Sequence, residues 1–282
     1  MPVEVASAYA ESVALVGYTE DLASEVSVRL ARFPVAGAGT LWAVAIIGGK
    51  TFGLGEPIKL SSAAQATPVN SETALYDERG PASARFLRHH LSLASFDGAM
   101  NVTAPMHATG HPPPGPGTVP VGIEASFSAI HAPVLARDGR REVFGVIDAK
   151  VTTPDGPVAF SGPAKWHEQS GDRTAFAPRF TYIAVSNRER ALLAVAREDS
   201  DYGFAVIDGK TVQVVKVTVG PMAERRSLKV VLEDGRKIAG TLDVVHETSM
   251  PVEGRRRLST TVMARTSIGD LVGHANDWDP KA

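Results

Sequence analysis

From Phe180 onward the chain is a succession of short apolar-rich runs: Phe180 to Val185, Ala191 to Arg197, Tyr202 to Ile207, Thr211 to Val219, Ser227 to Leu232, Lys237 to Val245, Arg257 to Ala264 and Asp270 to His274. Asn187-Arg188, Asp208-Gly209, Asp234-Gly235 and Glu253-Gly254 separate several of them. Turn pairs at this spacing leave no room for crossover helices, so the pattern requires antiparallel strands in a sandwich or up-and-down barrel. The first half carries the same signal. Glu25 to Phe33 alternates polar and apolar, and Leu41 to Ile47 follows before Gly48-Gly49-Lys50 turns the chain back. Further runs are Ala99 to Ala108, Val121 to Leu135 and Glu142 to Val151. Thr51 to Val69 is a weaker run, with Pro57 and Pro68 as breakers, and Arg85 to Phe96 fits either an amphipathic helical turn or a strand pair. His111 to Gly117 is a proline loop. The expectation is an all-β chain with little helix.

A repeated segment suggests how the strands are grouped. Gly162-Pro163-Ala164-Lys165-Trp166-His167-Glu168 and Gly273-His274-Ala275-Asn276-Asp277-Trp278 share Gly-x-Ala followed closely by Trp and an acid. Each is read as closing one β-module, with a strand ending at the glycine. Two modules are expected, residues 1–175 and 176–282, with the break near Gly171 to Pro178. At 282 residues the chain is long enough for two ordinary domains, each with its own core.

Composition removes several function classes. There is no cysteine, which excludes disulfides, thiolate metal sites and cysteine nucleophiles. A net charge of −2 offers no general attraction to nucleic acid or anionic membrane. The Arg225-Arg226 and Arg255-Arg256-Arg257 clusters sit beside turn residues and read as solvated hairpin ends. No apolar run reaches the length of a membrane span, and the first residues lack the pattern of a signal peptide, so a cytoplasmic location is expected. Ser161-Gly162 and Ser126 to Ser128 lack the setting of a nucleophile elbow, and Gly53-Leu54-Gly55 is followed by no helical pattern. His89, His90, His107 and His111 have no metal-ligand spacing, and neither metal nor cofactor is expected.

The segment around Trp166 carries the densest chemistry. Trp166-His167-Glu168 with Asp172 supplies groups for acid–base work, because burial raises a carboxyl pKa and keeps a proton available near neutrality. On an extended segment His167 and Glu168 point to opposite faces, so only one looks into a given cavity. The structural alternative has Trp166 plugging a barrel end while its neighbours hydrogen-bond a loop. His246-Glu247 ends another run and reads as a cavity-facing pair or an ordinary polar one. Asp277-Trp278-Asp279 reads as a cap, with an active-site role for Asp277 as the second reading.

Gly162, Trp166, His167, Glu168 and Gly171, with the C-terminal echo, resemble the tandem lipocalin-like family that includes the carotenoid hydratases (hydroxyneurosporene synthases) and related terpenoid or polyketide cyclases. Glu168-Gln169 stands where an Asp-His-x-Trp-Gly run would match that family more closely. The resemblance implies two consecutive lipocalin-like modules and a cofactor-free lyase or isomerase acting on an apolar small molecule. Under it His167 or Glu168 is the proton donor, with Asp172 or Asp277 as partner. Trp42, Trp166, Tyr182, Tyr202, His246 and Trp278 would contact substrate. A carrier of apolar ligands that does no chemistry is the other reading, and a homodimer is compatible with both.

Overall fold

A computed structural model describes residues 9–33, 38–59, 82–91, 96–109, 117–137, 139–172, 179–252 and 255–279. The chain divides into two compact units, Met1–Ala175 and Phe176–Ala282. Every regular element among the described residues is a strand, as the turn spacing requires.

The first unit holds β1 (Tyr9–Tyr18), β2 (Glu25–Phe33), β3 (Ala38–Ile47), β4 (Lys50–Lys59), β5 (Ser83–Leu91), β6 (Phe96–Thr109), β7 (Thr118–Ala129), β8 (Val134–Arg137), β9 (Arg140–Thr153) and β10 (Gly156–Asp172). Pairing runs β10-β1-β2-β3-β4-β6-β7-β9, and a long β9–β10 hairpin joins the two ends into a ring. β5 lies along β6 and β8 along β9, off that path. The segment from Arg85 is therefore strand and not helix. β4 meets β6 only over Thr51 to Gly53, and it continues through Pro57 with β3 as its partner. A proline fits there because, among the described residues, no second ladder asks for its N–H.

The second unit holds β11 (Phe180–Ser186), β12 (Ala191–Arg197), β13 (Tyr202–Ile207), β14 (Lys210–Val219), β15 (Arg225–Leu232), β16 (Lys237–Val252), β17 (Arg255–Thr266) and β18 (Gly269–Trp278). These eight strands close into an antiparallel barrel in chain order. Closure through β11 and β18 removes the free edges that an open sheet would expose.

Each unit has its own core. Val13, Leu15, Val28, Leu41, Phe86, Phe127, Ile147 and Trp166 belong to the first, whereas the second is built from aliphatic side chains such as Ile183, Leu192, Leu228 and Val262. Strand alternation then fixes which neighbours point inward. Neither strand ends at its glycine: Gly162 lies within β10 and Gly273 within β18, which runs on to Trp278. Both glycines allow a close backbone approach, since a Cβ on Gly162 would overlap the Tyr18 carbonyl oxygen and one on Gly273 that of Ala184.

Candidate functional site

β10 carries different chemistry on its two faces. Ala164 and Trp166 belong to the first core, so Glu168 continues the inward face. Trp166 is almost fully buried, with Phe86, Phe96 and Phe127 at ring-centroid distances of 5.8, 5.3 and 5.9 Å. Its indole N–H donates to Glu168 Oε1 at 3.1 Å. Arg88 donates to Glu168 Oε2 at 2.6 Å, and Arg141, the cross-strand partner of Glu168, donates to the same oxygen at 3.2 Å. Burial pushes the Glu168 carboxyl up, while Arg88, the indole and Arg141 pull it back. Glu11 and Arg32 form a second buried ion pair on β1 and β2, with the Tyr9 hydroxyl donating to Glu11 at 2.8 Å. The inner wall therefore ends in a charged network above an aromatic floor.

Lys165 and His167 lie on the opposite face, and they too are buried. His167 Nδ1 is 3.0 Å from Glu142 Oε1, and Lys165 Nζ is 3.5 Å from Glu142 Oε2. Glu142 is fully buried and is the cross-strand partner of His167 in the β9–β10 hairpin. Burial alone would push the Glu142 carboxyl up, but the Lys165 charge and the His167 contact outweigh it and hold it below the usual carboxylate range. Burial pushes the His167 imidazole down to about 4, against the pull of Glu142. At neutral pH Glu142 is thus a carboxylate and His167 a neutral imidazole. The carboxylate fixes the proton on Nδ1, which leaves the Nε2 lone pair as a base.

His131 is a contrast. Its Nδ1–H donates to the Ala132 carbonyl at 2.6 Å, and its Nε2 accepts the Phe144 N–H at 2.8 Å. Burial pushes it down to about 4, and with both nitrogens engaged in backbone bonds it pins the segment before β8 to β9.

Most of the other residues singled out from the sequence have surroundings of their own within each unit. Asp172 ends β10 opposite Tyr9, and its side chain lies outside the described residues. Asp277 faces the interior of the second barrel, where Arg226 donates to it through Nη1 at 2.6 Å and Nη2 at 3.1 Å, and the Thr181 hydroxyl donates at 2.7 Å. The hydrogen-bond partner that the structure gives His167 is Glu142, because register in the hairpin places Glu142 directly across from it. Trp42 sits on the outer face of β3, half-buried, with the Arg29 guanidinium 5.1 Å from its ring centroid. Tyr182 stacks on His274 at 5.7 Å, and both alternate with core residues, so they point away from the barrel interior. Tyr202 and Trp278 do likewise. His246 follows a β-bulge at Val245, which turns it to the outer face beside Thr261. Among the histidines weighed as metal ligands, His107 is exposed, and the side chains of His89, His90 and His111 lie outside the described residues. Among the described residues no group of three His, Asp or Glu gathers as a metal site.

Sequence reasoning missed Arg88, Arg141 and Glu142. A charged residue two positions from a core residue on one strand was their available signal: Arg88 follows Phe86, and Arg141 precedes Val143. A separate groove of about 720 Å³ opens on the outer face of the same unit, lined by Arg85, Asn101, Glu124, Ser126, Asp148 and Lys150 among others. None of the site residues lines it.

No protein-family model matches the chain, and no curated protein matches it. Among solved structures it is similar to kievitone hydratase from Nectria haematococca, at 10% identity and a TM-score of 0.50, covering 96% of this chain and 89% of that one. It is also similar to CghA crystallised with Sch210972, at 9% identity and a TM-score of 0.53, covering 96% and 87% of the two chains. A second structure of CghA gives 10% identity and a TM-score of 0.51 with the same coverage. Identities this low speak to fold and not to substrate or mechanism. The chain has the lipocalin-like fold of these proteins.

Proposed function

We propose that this chain is a cofactor-free hydratase, dehydratase or cyclase acting on an apolar, terpenoid- or polyketide-like small molecule, with His167 moving the proton. The observation that carries this reading is the Glu142–His167 pair. A buried carboxylate holds the imidazole in one tautomer and leaves Nε2 as an oriented base. An imidazole held neutral at pH 7 has a lone pair and no extra proton to give, so the first step is abstraction and not protonation. Glu168 is the weaker candidate, because its two oxygens already accept from Trp166, Arg88 and Arg141. A hydratase among the proteins of like fold supports the reaction class.

That same engagement of Glu168 favours the second reading, a carrier in which the inner-face charges only brace the wall. Native mass spectrometry of the protein purified from its producing cell separates the two. The reading expects a bound apolar molecule that is chemically altered in wild type and accumulates unaltered in His167→Ala. The same unaltered molecule in both would make the chain a carrier.

A further inference from the structure

We propose that Lys165 stabilises negative charge on a substrate oxygen beside His167, which makes the substrate an enolisable carbonyl compound. This rests on the reading of His167 as a base. Lys165 and His167 are two residues apart on one face of β10, so their side chains project in the same direction. Glu142 holds them as a fork, His167 on one carboxylate oxygen and Lys165 on the other. Exposure decides which members a ligand can meet. The Glu142 side chain is 0% exposed, whereas 8% of Lys165 and 11% of His167 remain accessible. The carboxylate is behind, and the base and the cation form the accessible rim.

Proton abstraction next to a carbonyl needs this combination. His167 Nε2 takes the α-proton, the C–H electron pair becomes the enolate C=C bond, and the carbonyl π pair moves to oxygen. Lys165, whose charge already bears on Glu142 and His167, faces that oxygen, an interaction worth more between largely buried groups than in open water. Return of the proton from His167 to the γ-carbon isomerises an unsaturated substrate. Its delivery to a leaving β-hydroxyl dehydrates one. Either route leaves both side chains as they began and needs no further reactant. Arg140 also bears on His167 electrostatically, as Lys165 does, so the rim is biased toward an anionic oxygen.

The test uses 4-nitrophenol, a planar phenol whose anion absorbs visible light and imitates an enolate. Wild type is expected to bind the anion in preference to the neutral phenol and so lower the pH at which the bound probe turns yellow. Lys165→Met should weaken anion binding by about tenfold while neutral-phenol binding stays unchanged, and Lys165→Arg should restore the preference. Circular dichroism checks that each variant is folded. If Lys165→Met misfolds, wild type and Lys165→Arg still decide the point. Equal binding of anion and phenol by wild type, or an unchanged preference in folded Lys165→Met, overturns the role of Lys165 and leaves the mass-spectrometric result on His167 standing. If wild type binds neither form, the rim is closed to ligands, and both this inference and the His167 reading fall.

Discussion

The two units repeat one hairpin and put it to different uses. In the first, Gly162 pairs with Ile147; in the second, Gly273 pairs with Val262. Each glycine is followed two residues later by a buried alanine. Trp166 then stands four residues beyond its glycine and Trp278 five beyond, and that single residue reverses the face. Trp166 enters the core, while the inward position is taken in the second unit by Asp277, which pairs with Arg226. Similar sequence therefore gives an aromatic floor under a charged network in one unit and an aliphatic core closed by one ion pair in the other. Strand registry, not composition, makes the difference.

The largest expected effect tests that difference directly. Arg88→Met removes the shortest contact of Glu168, whose side chain is 4% exposed, and leaves it the part-exposed Arg141 and the Trp166 indole, so the first unit should lose about 3 kcal/mol, read as denaturant midpoint. Arg226→Met should cost less, about 1–3 kcal/mol, because Asp277 is 26% exposed and keeps the Thr181 bond. Equal losses would remove the distinction between the two networks.

Glycine substitution should show where the units are alike. Gly162→Ala and Gly273→Ala each force a Cβ against a carbonyl oxygen, and both should lower stability by about 1–3 kcal/mol. A neutral result at either position would mean that the backbones do not approach so closely.

Acid should separate the units by pH. His167 and His131 fall from an ordinary 6.5 to about 4 in the folded first unit, so the unfolded chain binds more protons between those values. Their stabilisation is complete above pH 6.5 and is lost as pH falls toward 4. Glu142, also lowered, adds to the loss below its ordinary 4.5, while the raised Glu168 works in the opposite sense just above that value. In the second unit, the lowered carboxyls are Asp234 and Asp243, with an ordinary value of 3.8. Thermal scans at falling pH should show the first unit weakening from about pH 6.5 and the second holding until about pH 4. Trp166 fluorescence reports the first and Trp278 the second, in variants that keep one tryptophan. Co-incident weakening would show that the histidines are not held neutral.

The smallest effect is expected at the surface. Lys50 and Asp155 are 51% and 67% exposed, so Lys50→Ala should leave the melting temperature of the first unit unchanged.

Much of the architecture was legible before any coordinates. Alternation over Glu25 to Phe33 and the Asp-Gly and Asn-Arg turns announced antiparallel strands, and opposite faces for His167 and Glu168 followed from extension alone. The site was less legible. Nearness in sequence or echo points to Asp172 and Asp277 as partners, whereas Glu142 lies 25 residues from His167 and Arg88 lies 80 from Glu168, and they become neighbours only through hairpin pairing and packing in the core.

The sequence by itself determined that the chain is all-β, because period-two patterning and turn chemistry are local and each segment carries its own signal. Only the tertiary structure decided that Trp166 faces in and Trp278 out, that Trp42 lies against Arg29, and that His167 is buried against a carboxylate. Those outcomes depend on register and closure, which many distant residues set jointly, and a one-residue shift reverses every one of them.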